Sequence, residues 1–216
     1  VITAGPTWES LDPVRVLTNR SSVKMGYALA EEAVMRGARV TLITGPTQLL
    51  PPLNVTTVKV QTAEEMKEAV LSVFDSAHFV VKAAAVSDFK PAVTLDAKQK
   101  KTGRPETITL EPTEDILQLL GNRKTQQVLI GFCAETENLE ENARKKLEKK
   151  KLDFMVANLV SDIHDPFQSE QNEVLVIDRL GNRTPLLLQK KRQLAFNLWE
   201  LILERAAEVQ TVSTRG

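Results

Sequence analysis

The chain has 216 residues, with 28 Lys+Arg against 28 Asp+Glu, 42% hydrophobic and 26% charged residues; this suits one α/β domain of generous size or two small ones. Zero net charge argues against a dedicated nucleic-acid or anionic-membrane binder, which carries a basic excess. One cysteine, Cys133, excludes a disulfide framework and a multi-cysteine zinc site, and two histidines, His78 and His164, leave little for a histidine-rich metal centre.

In chain order, residues 1–4 read as the tail of a strand, followed by a loop from Gly5-Pro6-Thr7 to Lys24. Met25, Ala28, Leu29 and Ala33 recur at helical spacing, with Glu31 and Glu32 opposite. Gly37 stands where a helix-terminating glycine belongs. Residues 39–44 predict a second strand, ending in another Gly-Pro-Thr at 45–47. Thr62 and Glu65 form a capping box for a helix to about Phe74. Residues 78–83 are almost continuously apolar, as a strand buried on both faces should be.

Residues 85–106 break this rhythm with Pro91, Gly103, Pro105 and lysines 90, 98, 100 and 101. Such a loop inside a compact domain is a functional lid or a disordered segment. Residues 107–110 resume as a strand, and Thr113 caps a short helix with Glu114 and Asp115 in its first turn. A strand at 128–132, a charged helix from Asn138 and Glu141 to about Lys150, and a strand at 153–157 follow. Residues 174–178 and 184–188 flank Leu180-Gly181-Asn182, a hairpin signal, and 192–209 closes the chain as an amphipathic helix. No apolar run approaches the ~18 residues that span a bilayer and no signal peptide is visible. Together with a first residue, Val1, that already reads as strand, this predicts a piece of a longer cytoplasmic protein.

Strands alternating with helices predict an α/β, Rossmann-like fold: a mainly parallel sheet with helices on both faces, plus a C-terminal antiparallel hairpin at 173–188, in one domain over 1–216. Ligands in such folds gather at the C-terminal ends of strands, which brings 5–7, 45–47, 84–88, 111–113, 132–136 and Asn158 around one crevice. A Walker A loop, a Gly-x-Gly-x-x-Gly fingerprint and a Gly-x-Ser-x-Gly elbow are all absent. Thr44-Gly45-Pro46 stands where an NAD site would have an acid. The run Thr18-Asn19-Arg20-Ser21-Ser22-Val23-Lys24-Met25-Gly26 enters a helix directly. It reads either as an anion site built on helix N–H groups or as a plain serine N-cap.

Ala4-Gly5-Pro6-Thr7-x-Glu9-x-Leu11-Asp12-Pro13-Val14-Arg15, then Asn19-x-Ser21-Ser22-x-Lys24-Met25-Gly26, closely resembles the phosphopantothenoylcysteine synthetase family. The likeness continues through Ala83-Ala84-Ala85-Val86-Ser87-Asp88-Phe89, Lys98-x-Lys100-Lys101, Asp115-Ile116-Leu117, Gly131-Phe132-x-Ala134-Glu135-Thr136 and Ala157-Asn158. It therefore covers essentially the whole chain in order. The resemblance implies a ligase of coenzyme A biosynthesis that joins 4′-phosphopantothenate to cysteine, in the bacterial branch with CTP and Mg²⁺. The substrate carboxylate would attack the α-phosphate to give an acyl-cytidylate and pyrophosphate, and the cysteine amine would then displace CMP. Also implied are a homodimer, to which the hairpin edge could contribute, and fusion to, or association with, a flavin-dependent decarboxylase. Neither nucleic acid nor membrane is expected as a partner.

Such chemistry needs no protein nucleophile; it needs two anions held in place and charge neutralised at phosphorus. By resemblance, Asn19 holds the phosphopantothenate and its acyl intermediate, an amide being able both to donate and to accept, and Asn158 adds a substrate contact. Ser21, Ser22, Ala83, Ala84, Asp88, Phe132, Lys146 and Lys150 match nucleotide-binding positions. Lys98, in a flap over 85–106, matches a catalytic, nucleotide-contacting lysine, although a lysine cluster otherwise reads as a solvated loop. Asp88 also reads as a turn cap and Phe132 as core. Lys146 and Lys150 fall beside the Leu139, Ala143, Leu147 stripe, yet Lys150 lies ~18 Å along the axis from Asn138 and needs the helix to run past the pocket. Cys133 reads as a small buried hydrophobe, and neither histidine is given a role; metal ligands are not identifiable.

The chain departs from the family pattern at Val23, where glycine is usual, at Lys82, where a small or apolar residue is usual, and at Leu159, in place of an aspartate. His164-Asp165-Pro166-Phe167 also replaces a glycine-rich run. These departures motivate a rival reading, a non-catalytic nucleotide-binding paralogue. A short-chain-type reductase is a weaker rival, lacking its glycine fingerprint and acidic residue.

Overall fold

The computed structural model describes residues 1–101, 103, 107–159 and 169–213. Arg104, Pro105 and His164-Asp165-Pro166-Phe167 therefore lie outside the described residues. In chain order the elements are β1 (Ile2–Ala4), β2 (Trp8–Ser10), β3 (Val16–Thr18), α1 (Lys24–Met35), β4 (Val40–Thr44), β5 (Val55–Lys59), α2 (Ala63–Phe74), β6 (Phe79–Lys82), β7 (Phe89–Pro91) and β8 (Leu110–Pro112). There follow α3 (Ile116–Arg123), β9 (Val128–Glu135), α4 (Leu139–Lys149), β10 (Phe154–Leu159), β11 (Gln171–Asp178), β12 (Arg183–Lys190) and α5 (Lys191–Ser213).

Eight strands form one sheet in the order β12-β11-β10-β9-β6-β1-β4-β5. From β5 to β10 every pairing is parallel, and β11 and β12 add antiparallel. The mainly parallel α/β architecture with an antiparallel C-terminal hairpin is thus as the sequence predicts. Ile2 lies opposite Leu42 on one side and Val81 on the other. The chain steps outward from β1 to β4 and β5, then returns to lay β6 on the opposite flank, and a crevice opens at such a reversal of strand order.

Successive side chains along these strands go to opposite faces, and both faces are covered. Leu42, Val81, Ile130 and Val156 pack with Leu29 and Ala33 of α1 and Leu198, Trp199 and Ile202 of α5. Their neighbours Ile43, Val80, Leu129 and Met155 pack with Met66, Val70 and Phe74 of α2, Leu117 and Leu120 of α3, and Ala143 and Leu147 of α4. That is why the strands read as continuous apolar runs. Trp199 joins α5 to α1 by donating to the Leu29 carbonyl at 3.0 Å, and meets Phe79 edge-on at 5.8 Å.

Local signals behave as expected where they are self-contained. The Thr62–Glu65 capping box is formed, and Gly37 follows α1 with φ +82°, a conformation that glycine adopts without a Cβ penalty.

Four segments differ from the sequence reading. The expected loop between Gly5 and Lys24 contains the β2–β3 hairpin, closed by an Asp12 turn: Asp12 Oδ1 accepts the Val14 and Arg15 N–H groups, both at 2.9 Å. Val55–Lys59, to which no element was assigned, is the edge strand β5. The strand expected at 107–110 is displaced to β8, and α3 is capped by Asp115, which accepts from Gln118 N–H at 3.0 Å. Thr113 instead donates its hydroxyl to the Ser87 carbonyl at 2.6 Å. Asn138 precedes α4 in a left-handed conformation and makes no side-chain cap.

Residues 85–101 are anchored rather than loose. β7 pairs with β8, Leu95 N–H donates to the Leu11 carbonyl at 3.0 Å, and Thr94 hydroxyl donates to the Ser10 carbonyl at 3.0 Å. Gln99 N–H donates to Asp12 Oδ2 at 3.2 Å. Among the described residues no helix is long and apolar enough to cross a membrane.

Candidate functional site

The crevice at the strand-order reversal holds a cavity of about 880 Å³, within the range that takes a sizeable ligand. Its walls come from the C-terminal ends of β6, β9 and β10, the segment entering α1, the turn before α3, two residues of the α4 end, and the start of α5. One end is polar and faces α1 and α5; the other is lined by the cations of α4.

At the first end α1 begins without a side-chain cap. Its N-cap is Val23, not a serine, and the Ser21 hydroxyl only accepts from Val23 N–H at 3.4 Å. The plain serine-cap reading is therefore not what the backbone adopts, and the first-turn N–H groups of α1 are not taken by a cap, as an anion site requires. A Cβ on Gly26 would stand 2.5 Å from Ala4 Cβ, so glycine lets this helix start against β1. Val23 has φ +67°, the left-handed region disfavoured for a β-branched residue. That is the backbone a glycine at this position would accept readily.

Asn19 lies on the loop before α1 and donates through Nδ2 to the Ala85 and Val86 carbonyls, at 3.1 and 3.0 Å. Its amide thereby spans from the α1 entry to the turn after β6, and Asn19 lines the cavity. The turn itself is tied to β1's loop: Ala85 N–H donates to the Gly5 carbonyl at 2.9 Å, and Ser87 N–H to Thr7 Oγ1 at 3.0 Å. Asn158, at the end of β10, accepts from Asn172 at 3.2 Å, and the Lys191 ammonium donates to Ser22 Oγ at 3.4 Å.

At the other end, Lys146 pairs with Glu135 at 2.6 Å and Lys150 with Asp115 at 2.9 Å. Burial opposes the charge on Lys146, but Glu135 outweighs it and, with Asp88 adding, raises the ammonium above its ordinary range. For Asp115, burial likewise opposes ionisation, and the Gln118 N–H with Lys150 overcomes it, so the carboxyl titrates below its usual value. Lys150 reaches the cavity because α3 packs directly on the end of α4. A Cβ on Gly121 would lie 1.9 Å from the Lys150 carbonyl oxygen. The ~18 Å separation along α4 is thus bridged by a second helix and by the lysine's own length.

The structure brings Asn19, Ser21, Ser22, Ala83, Ala84, Asp88, Phe132, Lys146, Lys150 and Asn158 to this one cavity. It does not bring Lys98 to the wall. Lys98 is exposed, and its neighbour Gln99 is held away by Asp12 and by Arg15, whose guanidinium donates to the Gln99 carbonyl at 3.2 Å. The sequence reading missed Asn172 and Lys191, which arrive from the hairpin and the start of α5, and gave Lys82 and Asp115 no place in the site. Among these, the Asp115-Ile116-Leu117 run carried a signal, as a cap at a strand end. Cys133 also lines the cavity; burial and then Glu135 push its thiol up to about 12, so it stays protonated, in keeping with a hydrophobe rather than a nucleophile. Among the described residues no three metal-binding side chains converge.

These features define an α/β domain with a cleft lined by cations and helix N–H groups at the switch point of its sheet. The model of the DNA/pantothenate metabolism flavoprotein C-terminal domain matches residues 1–206, and the chain belongs to that family. It is 47% identical over 203 residues to the coenzyme A biosynthesis bifunctional protein CoaBC of Bacillus subtilis (strain 168), covering 94% of this chain and 50% of that protein. A relative named cysteine/cysteine sulfinic acid decarboxylase, from an unknown prokaryotic organism, is 41% identical over 204 residues, covering 94% of this chain and 57% of that one. The crystal structure of the C-terminal domain of a CoaBC protein superposes with a TM-score of 0.82 at 43% identity, covering 96% of this chain and 94% of that one. The chain spans about half the length of the curated relatives it matches.

Proposed function

We propose that this domain is a phosphopantothenate–cysteine ligase that uses CTP and passes through an acyl-cytidylate. The observation that carries the reading is the continuity of one cavity between an uncapped helix N-terminus with Asn19, Ser21, Ser22 and Lys191, and the cationic end with Lys146 and Lys150. Two anionic substrates can lie end to end there, which is what joining a phosphorylated acid to a nucleotide requires. The name of the Bacillus subtilis relative, a bifunctional coenzyme A biosynthesis protein, supports the same pathway.

In this reading the α1 N–H groups, Ser21 and Ser22 bind phosphate. Asn19, already fixed by two carbonyls, orients the substrate carboxylate toward the α-phosphate. Lys146 and Lys150 neutralise the phosphate chain, and Ala83 and Ala84, without bulk, let the base approach the backbone. Among the described residues no metal cage converges; Mg²⁺ would enter with the triphosphate, and Asp88 is a wall carboxylate that could hold it. Bound there, the ion would neutralise charge on the phosphate being attacked. Lys98 acts only if 92–101 leaves its tie to Asp12 and closes as a flap, excluding water from the acyl phosphate. A homodimer using the β12 edge, and fusion to a flavin-dependent decarboxylase, belong to this proposal.

The test is pyrophosphate release from CTP on adding 4′-phosphopantothenate without cysteine, followed by amide formation when cysteine is supplied. CTP binding with no pyrophosphate would overturn the ligase and favour the non-catalytic paralogue, which the departures at Val23 and Leu159 motivate.

A further inference from the structure

Lys82 is the last residue of β6 and points to the α2 side of the sheet, where it is 6% exposed. Its ammonium has one neighbour within hydrogen-bonding reach among the described residues, the Met66 sulfur at 3.6 Å, a weak acceptor for a group with three N–H donors. No carboxylate of the described residues forms an ion pair with it, although lysines almost never bury without one. Lys82 also lines the cavity, whose wall includes the apolar residues Ile116, Leu117, Met155, Ala83 and Ala84.

This places one strong donor, short of acceptors, on an apolar floor. A triphosphate does not suit that floor, since its several charges need several donors and some water. A flat ring carrying a single outward oxygen does suit it, because the apolar walls cover the ring and the oxygen meets the amine. We propose that Lys82 is a specificity-determining residue that donates a hydrogen bond to a carbonyl oxygen of the nucleotide base, favouring cytosine or uracil over adenine, which has no carbonyl. The proposal rests on the ligase reading for the presence of a nucleotide, and adds what selects its base. Burial brings the amine down to about 7, with Asp115 opposing and Lys150 reinforcing. A carbonyl arriving on the floor therefore meets an N–H donor in either protonation state of the amine.

The experiment is equilibrium binding of CTP, UTP and ATP to the purified chain and to its Lys82→Met and Lys82→Gln variants, with thermal melting of each variant as a folding control. Lys82→Met is expected to weaken CTP and UTP ~10- to 100-fold, the cost of leaving the base carbonyl buried without a donor, and to leave ATP within about twofold. Lys82→Gln, which keeps a donor, should recover part of the loss. Equal loss for all three nucleotides would place the contact on ribose or phosphate and overturn the proposal, as would no loss for any. If the wild-type chain binds no nucleotide, the ligase reading falls with it. If wild type binds and turns over CTP while Lys82→Met matches it, only the role of Lys82 falls.

Discussion

Val23 offers a measurement in which the sign, not merely the size, is diagnostic. The residue is buried in the apolar layer beside α1, with φ +67° and ψ −23°. Consider two truncations, Val23→Ala and Val23→Gly. Both remove the isopropyl methyls, so the loss of apolar burial largely cancels between them. On ordinary backbone, alanine is then the more stable by about 0.5–1 kcal/mol, since glycine loses more freedom on folding. In the left-handed region any Cβ meets the following carbonyl at a penalty of about 1–2 kcal/mol. The difference should therefore invert, leaving Val23→Gly more stable by about 0.5–1 kcal/mol, or a few degrees in Tm for a domain of this size. Urea unfolding of the two variants side by side, with equal slopes, gives the comparison directly. If Val23→Ala proves the more stable, the backbone entering α1 is not left-handed, and the account of the anion site loses its local basis.

Three further outcomes follow from particular contacts. Gly121→Ala puts a Cβ 1.9 Å from the Lys150 carbonyl oxygen, so α3 must shift; a loss of about 1–3 kcal/mol and weaker nucleotide binding are expected, and unchanged unfolding would contradict the close packing. Lys82 in the folded chain titrates near 7, against 10.5 when free, so between those values the unfolded chain binds more protons and wild-type stability rises by about 1.4 kcal/mol per pH unit. The stability advantage of Lys82→Met should accordingly be largest below pH 7 and fade by about pH 10.5; an advantage constant across pH 6, 8 and 9.5 would count against a buried ammonium. Arg15 holds the Asp12 carboxyl well below the usual carboxylate range. Asp12→Asn breaks that pairing and should speed tryptic cleavage after Lys98 and Lys100; equal cleavage would show that the Gln99 tie does not restrain the segment.

What could be read from the sequence was what is decided within a few residues. The Thr62–Glu65 box, Gly37 after α1 and the Leu139, Ala143, Leu147 stripe each depend on spacing alone, and each forms. Val23 was legible as a mismatch with a glycine position, and its positive φ gives that mismatch a physical meaning. Asn172 and Lys191 were not legible, because Asn172 meets Asn158 only through the antiparallel return of β11, and Lys191 meets Ser22 from 169 residues along the chain. β5 escaped because Thr56 and Lys59 are exposed on an edge strand, which weakens the apolar run. Within the loop expected over 85–106, the order of residues 85–101 was not legible because it comes from hydrogen bonds to a hairpin more than 80 residues earlier, and no local pattern records them.

The two cations at the α4 end of the cleft are already matched, Lys146 by Glu135 and Lys150 by Asp115. A ligand must therefore compete with carboxylates tethered at a millimolar or higher effective concentration, instead of meeting bare charge. A single small anion, such as chloride or inorganic phosphate, gains little by replacing one tethered carboxylate. A chain of phosphates can displace both within one binding event, and the second exchange is then intramolecular. The cleft thereby screens by valence before it screens by shape, and the even balance of charges in the whole chain recurs on the scale of two ion pairs.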